Sequence, residues 1–121
     1  MTNQIDSLFS ALADPTRRAV VEQLAEGAQP VSALAAPHDM ALPSFLRHIE
    51  VLETAGIVAT RKQGRSRMVA LRPRALDAID GWLDGQRGLW EGRLARLEAV
   101  ARRLELDTNP MPGETPRKDK T

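Results

Sequence analysis

Apolar residues recur along most of this chain at steps of three and four, the period of helices buried on one face. Ile5, Leu8, Phe9 and Leu12 predict a first helix over residues 5–13. Asp14-Pro15 ends it and starts a second, because Asp at an N-cap accepts a backbone N–H and Pro at the next position lacks only a donor that would go unused. The second helix turns Ala19, Val20 and Leu24 inward and stops at Gly27. Pro30 opens a short third helix carrying Val31 and Leu34, closed by Pro37, and His38-Asp39-Met40 forms a turn. The stretch Ala41–Ile57 follows, with Leu42, Phe45, Leu46, Ile49 and Leu52 on one stripe. Ser44, Arg47, Val51 and Thr54 fall on the other side, His48 lies on the flank, and Gly56 supplies a stop.

After Gly56 the pattern turns strand-like. Ile57-Val58-Ala59 and Met68-Val69-Ala70-Leu71 flank the basic, Gly-containing run Arg61–Arg67, which predicts a two-stranded hairpin. Arg65 and Arg67, two apart, would share a strand face. A last helix is expected from Pro73 to about Glu105, striped by Leu76, Ile79, Leu83, Trp90, Leu94, Leu97, Ala101 and Leu104 and flanked by Trp82, Leu89 and Val100. Such a helix is roughly 45 Å long, whereas a domain of this size has a radius of gyration of about 13 Å. Its far end should outrun its own globule with the stripe uncovered, and a second copy of the chain is the simplest cover. Gly81, Gly85, Gly88 and Gly92 line the opposite face. Each costs roughly 0.8–1 kcal/mol relative to Ala, so that face is either a weakened solvent surface or a groove approached by another backbone. From Asp107 the chain is polar, with three prolines, and is expected to be disordered; residues 1–106 would form one domain and 107–121 a tail.

Composition narrows the picture. Hydrophobic residues make up 42% of the 121 positions but aromatics only 3%, which suits helices packed on helices. The absence of cysteine excludes disulfides and thiolate metal sites. No apolar run approaches the ~20 residues that span a bilayer, and no basic-then-apolar leader is visible; the chain reads as cytoplasmic. Net charge is only +1, but it is unevenly spread: residues 1–40 balance at −3, residues 41–74 at +5 and residues 75–106 at −1.

Two short helices joined by a tight turn, the second exposing polar side chains, form a helix-turn-helix arrangement. Followed by a basic hairpin, it predicts a mainly α, winged helix-turn-helix fold whose partner is double-stranded DNA. Ser44, Arg47 and His48 are the candidate base readers, Arg47 being the best suited to a guanine edge. Arg61, Lys62, Arg65 and Arg67 would grip phosphate or minor groove. A homodimer through Leu83, Trp90, Leu94 and Leu97 would set two reading helices about 34 Å apart and call for an inverted repeat. An enzyme would need a nucleophile with its base, paired inward carboxylates or a phosphate-cradling glycine loop, and none is present, nor is any cofactor motif. A protein-interaction module using the long apolar helix, without DNA reading, is the alternative.

Residues 9–71 resemble the ArsR-type winged-helix repressors. FSALADPTRRAVVEQL, LPSFLRHIEVLETAGIV and RKQGRSRMVAL look like that family's opening helices, recognition helix and wing, and the helix after Pro73 suits its dimerisation element. The resemblance implies a dimeric, sequence-specific repressor that blocks a promoter until released. The chain departs from the family at several points. Many members sense metal through a Cys pair in the third helix, where Val31-Ser32-Ala33-Leu34-Ala35 offers no soft ligand. Others use carboxylates and His on the last helix, where Asp77, Asp80 and Asp84 have no His near them. A metal site is therefore not expected. Ala41 stands where a capping Ser or Thr is common, and Leu46 where a small polar residue is usual, although on the helical wheel it falls toward the core.

Overall fold

Side chains from its own neighbourhood begin and end the first helix. In α1 (Gln4–Leu12), Asn3 Oδ1 accepts the Asp6 N–H at 2.9 Å. The carbonyls left open at its far end accept from two arginines of the next helix: Arg17 Nε donates to Ala11 O at 2.6 Å and Arg18 Nη1 to Leu12 O at 2.8 Å. Helix α2 (Pro15–Gln23) starts on Asp14, whose Oδ2 accepts the Arg17 N–H at 3.1 Å, and it tightens into a 3₁₀ turn over Leu24–Glu26 before Gly27. This computed structural model describes residues 3–107, which fall into two compact units, one ending at Leu83 and one beginning at Asp84. The tail expected from residue 107 lies outside the described residues, apart from Asp107, which closes the last helix.

The next segment departs from expectation. Gln29–Pro30 form a two-residue strand, β1, and Pro30 caps α3 (Val31–Ala35) rather than opening it as its first helical residue. Gln29 lies opposite Val69 and Pro30 opposite Met68, so the sheet has three antiparallel strands in the order β1-β3-β2 rather than the two of a bare hairpin. The pairing is formed with a segment distant in sequence, which local patterning does not reveal.

Helix α4 (Leu42–Thr54) follows the turn after α3. His38 stacks on Phe45 with ring centroids 5.4 Å apart, and its Nε2 lies 2.9 Å from Gln23 Oε1, so that turn is tied to α2. Ala41 provides no side-chain cap. The helix ends in a Schellman motif: Gly56, at φ 82°, donates to Glu53 O, and Ile57 donates to Leu52 O at 3.0 Å, with Ile57 and Leu52 both fully buried. Strands β2 (Val58–Gln63) and β3 (Ser66–Leu71) pair from Val58 opposite Leu71 to Gln63 opposite Ser66. Gly64, at φ 63°, begins their two-residue turn.

The core of the first unit gathers Leu8, Ala11, Val20, Leu24, Leu34, Phe45, Ile49, Leu52, Ile57, Val58 and Val69. Two residues on the expected core stripe of α4 are not in it, Leu42 at 53% exposed and Leu46 at 40%, and Phe9 of α1 is 41% exposed. The buried arc of α4 is centred on Phe45, Ile49 and Leu52, and Leu46 stands roughly 90° from its middle at 100° per residue. Leu42 sits in the first turn and lines an open groove with Val31 and Arg65, which leaves it half exposed.

Helix α5 (Asp77–Asp107) begins four residues later than the Pro73 start expected of it. Arg74 takes a positive φ of 64°, which a continuing helix forbids. Within the first unit Ala75, Ala78 and Ile79 pack on the core, and Trp82 meets Phe9 edge-on at 5.4 Å. Within the second unit Leu89, Trp90, Leu94, Leu97 and Val100 are all more than half exposed, and the Arg93 guanidinium lies 5.6 Å from the centre of the Trp90 ring. No helix among the described residues is long and apolar enough to cross a membrane.

Candidate nucleic-acid interface

Burial of Phe45, Ile49 and Leu52 turns the other side of α4 outward, and Ser44 and Arg47 are exposed on it. His48 is placed differently. Its side chain is only 20% exposed, because Arg17 Nη1 lies 3.0 Å from His48 Nδ1. A guanidinium can only donate, so Nδ1 accepts and the ring proton resides on Nε2. Asp14 Oδ2 stands farther off, at 3.7 Å from the same nitrogen. The shorter contact decides the tautomer, since a proton on Nδ1 would face the Arg17 cation.

Asp14 joins two roles, capping α2 and facing this imidazole. Burial alone would raise its carboxyl pKa, but the Arg17 N–H, the charge of the His48 ring whenever that ring is protonated, the Arg17 charge and the Thr16 N–H together hold it below its ordinary value. Arg17 thus satisfies the end of α1, the start of α2 and the flank of α4. It carries no local sequence signal for this work, because its partner His48 lies 31 residues away.

The basic hairpin projects its charges outward: Arg61, Lys62, Arg65 and Arg67 are all exposed. Arg65 belongs to the turn rather than to a strand, yet it lines one groove with Arg67, together with Ser32, Leu42 and Ser66. A relay fixes the hairpin to α4. Glu53 Oε2 accepts from Thr60 Oγ1 at 2.8 Å and from Thr60 N–H at 3.2 Å, and Thr60 Oγ1 accepts from Arg67 Nη2 at 3.2 Å. Glu53 and Thr60 carry no signal in the sequence, since a Thr facing across from a helix-borne Glu has no periodicity to betray it.

The structure brings Ser44, Arg47, His48 and the four hairpin cations into the first unit. Of the four candidate pairing residues, Leu83 is half-buried in that unit, whereas Trp90, Leu94 and Leu97 stand exposed on the second. Among the described residues no group of three or more His, Asp or Glu is placed to hold a metal ion.

A core of four short helices, the last of which turns a polar face outward, followed by a basic wing, is a winged helix-turn-helix, a DNA-binding class. The helix-turn-helix domain family matches residues 12–61. The HTH-type transcriptional regulator Rv2034 of Mycobacterium tuberculosis is 42% identical over 79 residues, 65% of this chain and 74% of that protein. A crystallised ArsR family transcriptional regulator is 50% identical with a TM-score of 0.71, over 74% of this chain and 98% of that one. A homodimeric winged helix-turn-helix DNA-binding domain of Mycobacterium bovis, a possible ArsR-family regulator solved by NMR, shares the fold at 21% identity and a TM-score of 0.57, over 70% of this chain and 79% of that one. This chain belongs to the ArsR family of HTH-type transcriptional regulators. It is a regulator of transcription, not an enzyme.

Proposed function

We propose that the protein is a cytoplasmic homodimer that represses transcription by occupying an inverted-repeat operator in double-stranded DNA, without a metal effector. The observation that carries this reading is the pairing of the exposed Ser44 and Arg47 on α4 with the exposed hairpin cations Arg61, Lys62, Arg65 and Arg67 in one unit. Ser44 and Arg47 read base edges in the major groove, Arg47 by a bidentate contact to guanine. His48 offers one donor, its Nε2–H. The hairpin holds phosphate or minor groove and contributes affinity without a base code.

Dimerisation through Leu83, Trp90, Leu94 and Leu97 is supported by the exposure of the last three, at 57%, 55% and 64%. Burying such side chains contributes roughly 1.5–3 kcal/mol each. The Mycobacterium bovis relative is itself homodimeric. The absence of cysteine, and of any group of three or more His, Asp or Glu placed to hold a metal ion among the described residues, supports the reading without metal.

The test is fluorescence anisotropy with DNA from upstream of the protein's own gene against random duplex. Preference for the upstream DNA, with affinity that falls steeply as salt rises, supports the proposal. Equal and weak binding to both, or none, would favour a protein-interaction module served by the exposed α5 stripe.

A further inference from the structure

Leu42 and Leu46 are the two leucines that α4 does not bury. They stand one turn apart, so their Cβ atoms are about 5–6 Å from each other and form one small apolar surface on the helix's first half. A single exposed leucine is ordinary. Here both border on charge made for phosphate: Leu42 lines a groove with Arg65, Ser66 and Arg67, and Leu46 lines a second with Arg67 and Thr60. Arg67 belongs to both grooves, so the leucine pair lies beside the side chain that the Glu53–Thr60 relay holds in place. Farther along the same side come Glu50 and Glu53, whose carboxylates repel phosphate and confine close approach to the N-terminal half of the helix.

From this arrangement we propose, resting on the duplex-reading function above, that Leu42 and Leu46 are specificity-determining residues that read thymine by its 5-methyl group. The major groove offers one apolar feature, the thymine methyl, and an aliphatic side chain recognises it by excluding water. Successive bases on one strand lie about 3.4 Å apart, so a pair 5–6 Å apart covers methyls one or two steps from each other. Each half-site therefore contains a short thymine-bearing element.

The experiment uses the full chain and a duplex enriched by it from a randomised pool, resynthesised with deoxyuridine in place of thymidine at one position at a time. Uracil keeps the pairing and every hydrogen-bonding edge and removes only the methyl. At one or two positions per half-site the dissociation constant should rise about fourfold, the loss expected for one buried methyl. Leu42→Ala and Leu46→Ala should each abolish the sensitivity at one such position while circular dichroism shows unchanged folding. Binding indifferent to uracil at every position, or a sensitivity that persists in both variants, overturns the inference and leaves the duplex-reading function standing. Failure of the pool to enrich any sequence overturns both.

Discussion

Arg17 Nη1 and His48 Nδ1 lie 3.0 Å apart, a hydrogen bond that joins the second helix to the flank of α4. The same guanidinium donates to Ala11 O and Ser10 O, so the α1–α2 junction and α4 are set relative to one another by one side chain. Removing it leaves the Ala11 carbonyl and an imidazole nitrogen without this donor, and Ser10 O with the Ala13 N–H alone. Arg17→Met should lower unfolding free energy by about 1–3 kcal/mol in denaturant titrations. Nitrogen-15 NMR of the wild type should find the His48 proton on Nε2; a proton on Nδ1 would contradict the contact.

Asp14 predicts how stability depends on acid. Its carboxyl pKa is lowered in the folded chain from the ordinary 3.8. Its contribution is therefore complete above that ordinary value and is lost as pH falls through the lower, folded-state value. Asp14→Asn keeps a capping oxygen but not the charge. The variant should be less stable than wild type at neutral pH, with the gap closing below pH of about 4. Asp14→Ala should lose about 1 kcal/mol more through the missing cap. A gap that widens in acid would reverse the sign of this account.

The glycine face of α5 is open in the single chain. A Cβ added at Gly85 or Gly88 meets nothing within 4 Å. Gly85→Ala and Gly88→Ala should then each stabilise the helix by about 0.8–1 kcal/mol and leave DNA affinity unchanged. Stabilisation accompanied by lost binding would show that this face must admit a close-packed backbone.

Leu94 carries the proposal of pairing. Leu94→Glu puts a charge into the exposed stripe beside Trp90 and Leu97, and burying an unpaired carboxylate is prohibitive. Analytical ultracentrifugation should find a dimer for the wild type and a monomer for the variant, with much weaker operator binding because each protein then holds one half-site. A dimer that survives the substitution would remove the stripe from the interface.

Much of the fold could be read from the chain because its signals are local. Asp14-Pro15 marks a helix start, Gly56 a Schellman stop, and Gly64 a two-residue turn, and each acts within a few residues of itself. What escaped is long-range. Pro30 looks like a helix opener until Met68 lies opposite it in a strand. Leu42 and Leu46 fall on the same stripe of the wheel as Ile49, but burial depends on what stands across from them, and their neighbours leave these two 53% and 40% exposed. The hydrogen bond between His48 and Arg17 is equally beyond local reading, because only the folded chain brings the two together.

The central claim is that α4 reads sequence while the hairpin grips the backbone. Anisotropy titrations of wild type, Arg47→Ala and Arg65→Ala against the enriched duplex and a random one, over a range of salt, test it most directly. Arg47→Ala should cost about 1–3 kcal/mol on the enriched duplex and little on the random one. Arg65→Ala should weaken both alike and flatten the salt slope by about one unit. If Arg47→Ala leaves the discrimination between the two duplexes undiminished, α4 is not the reading element.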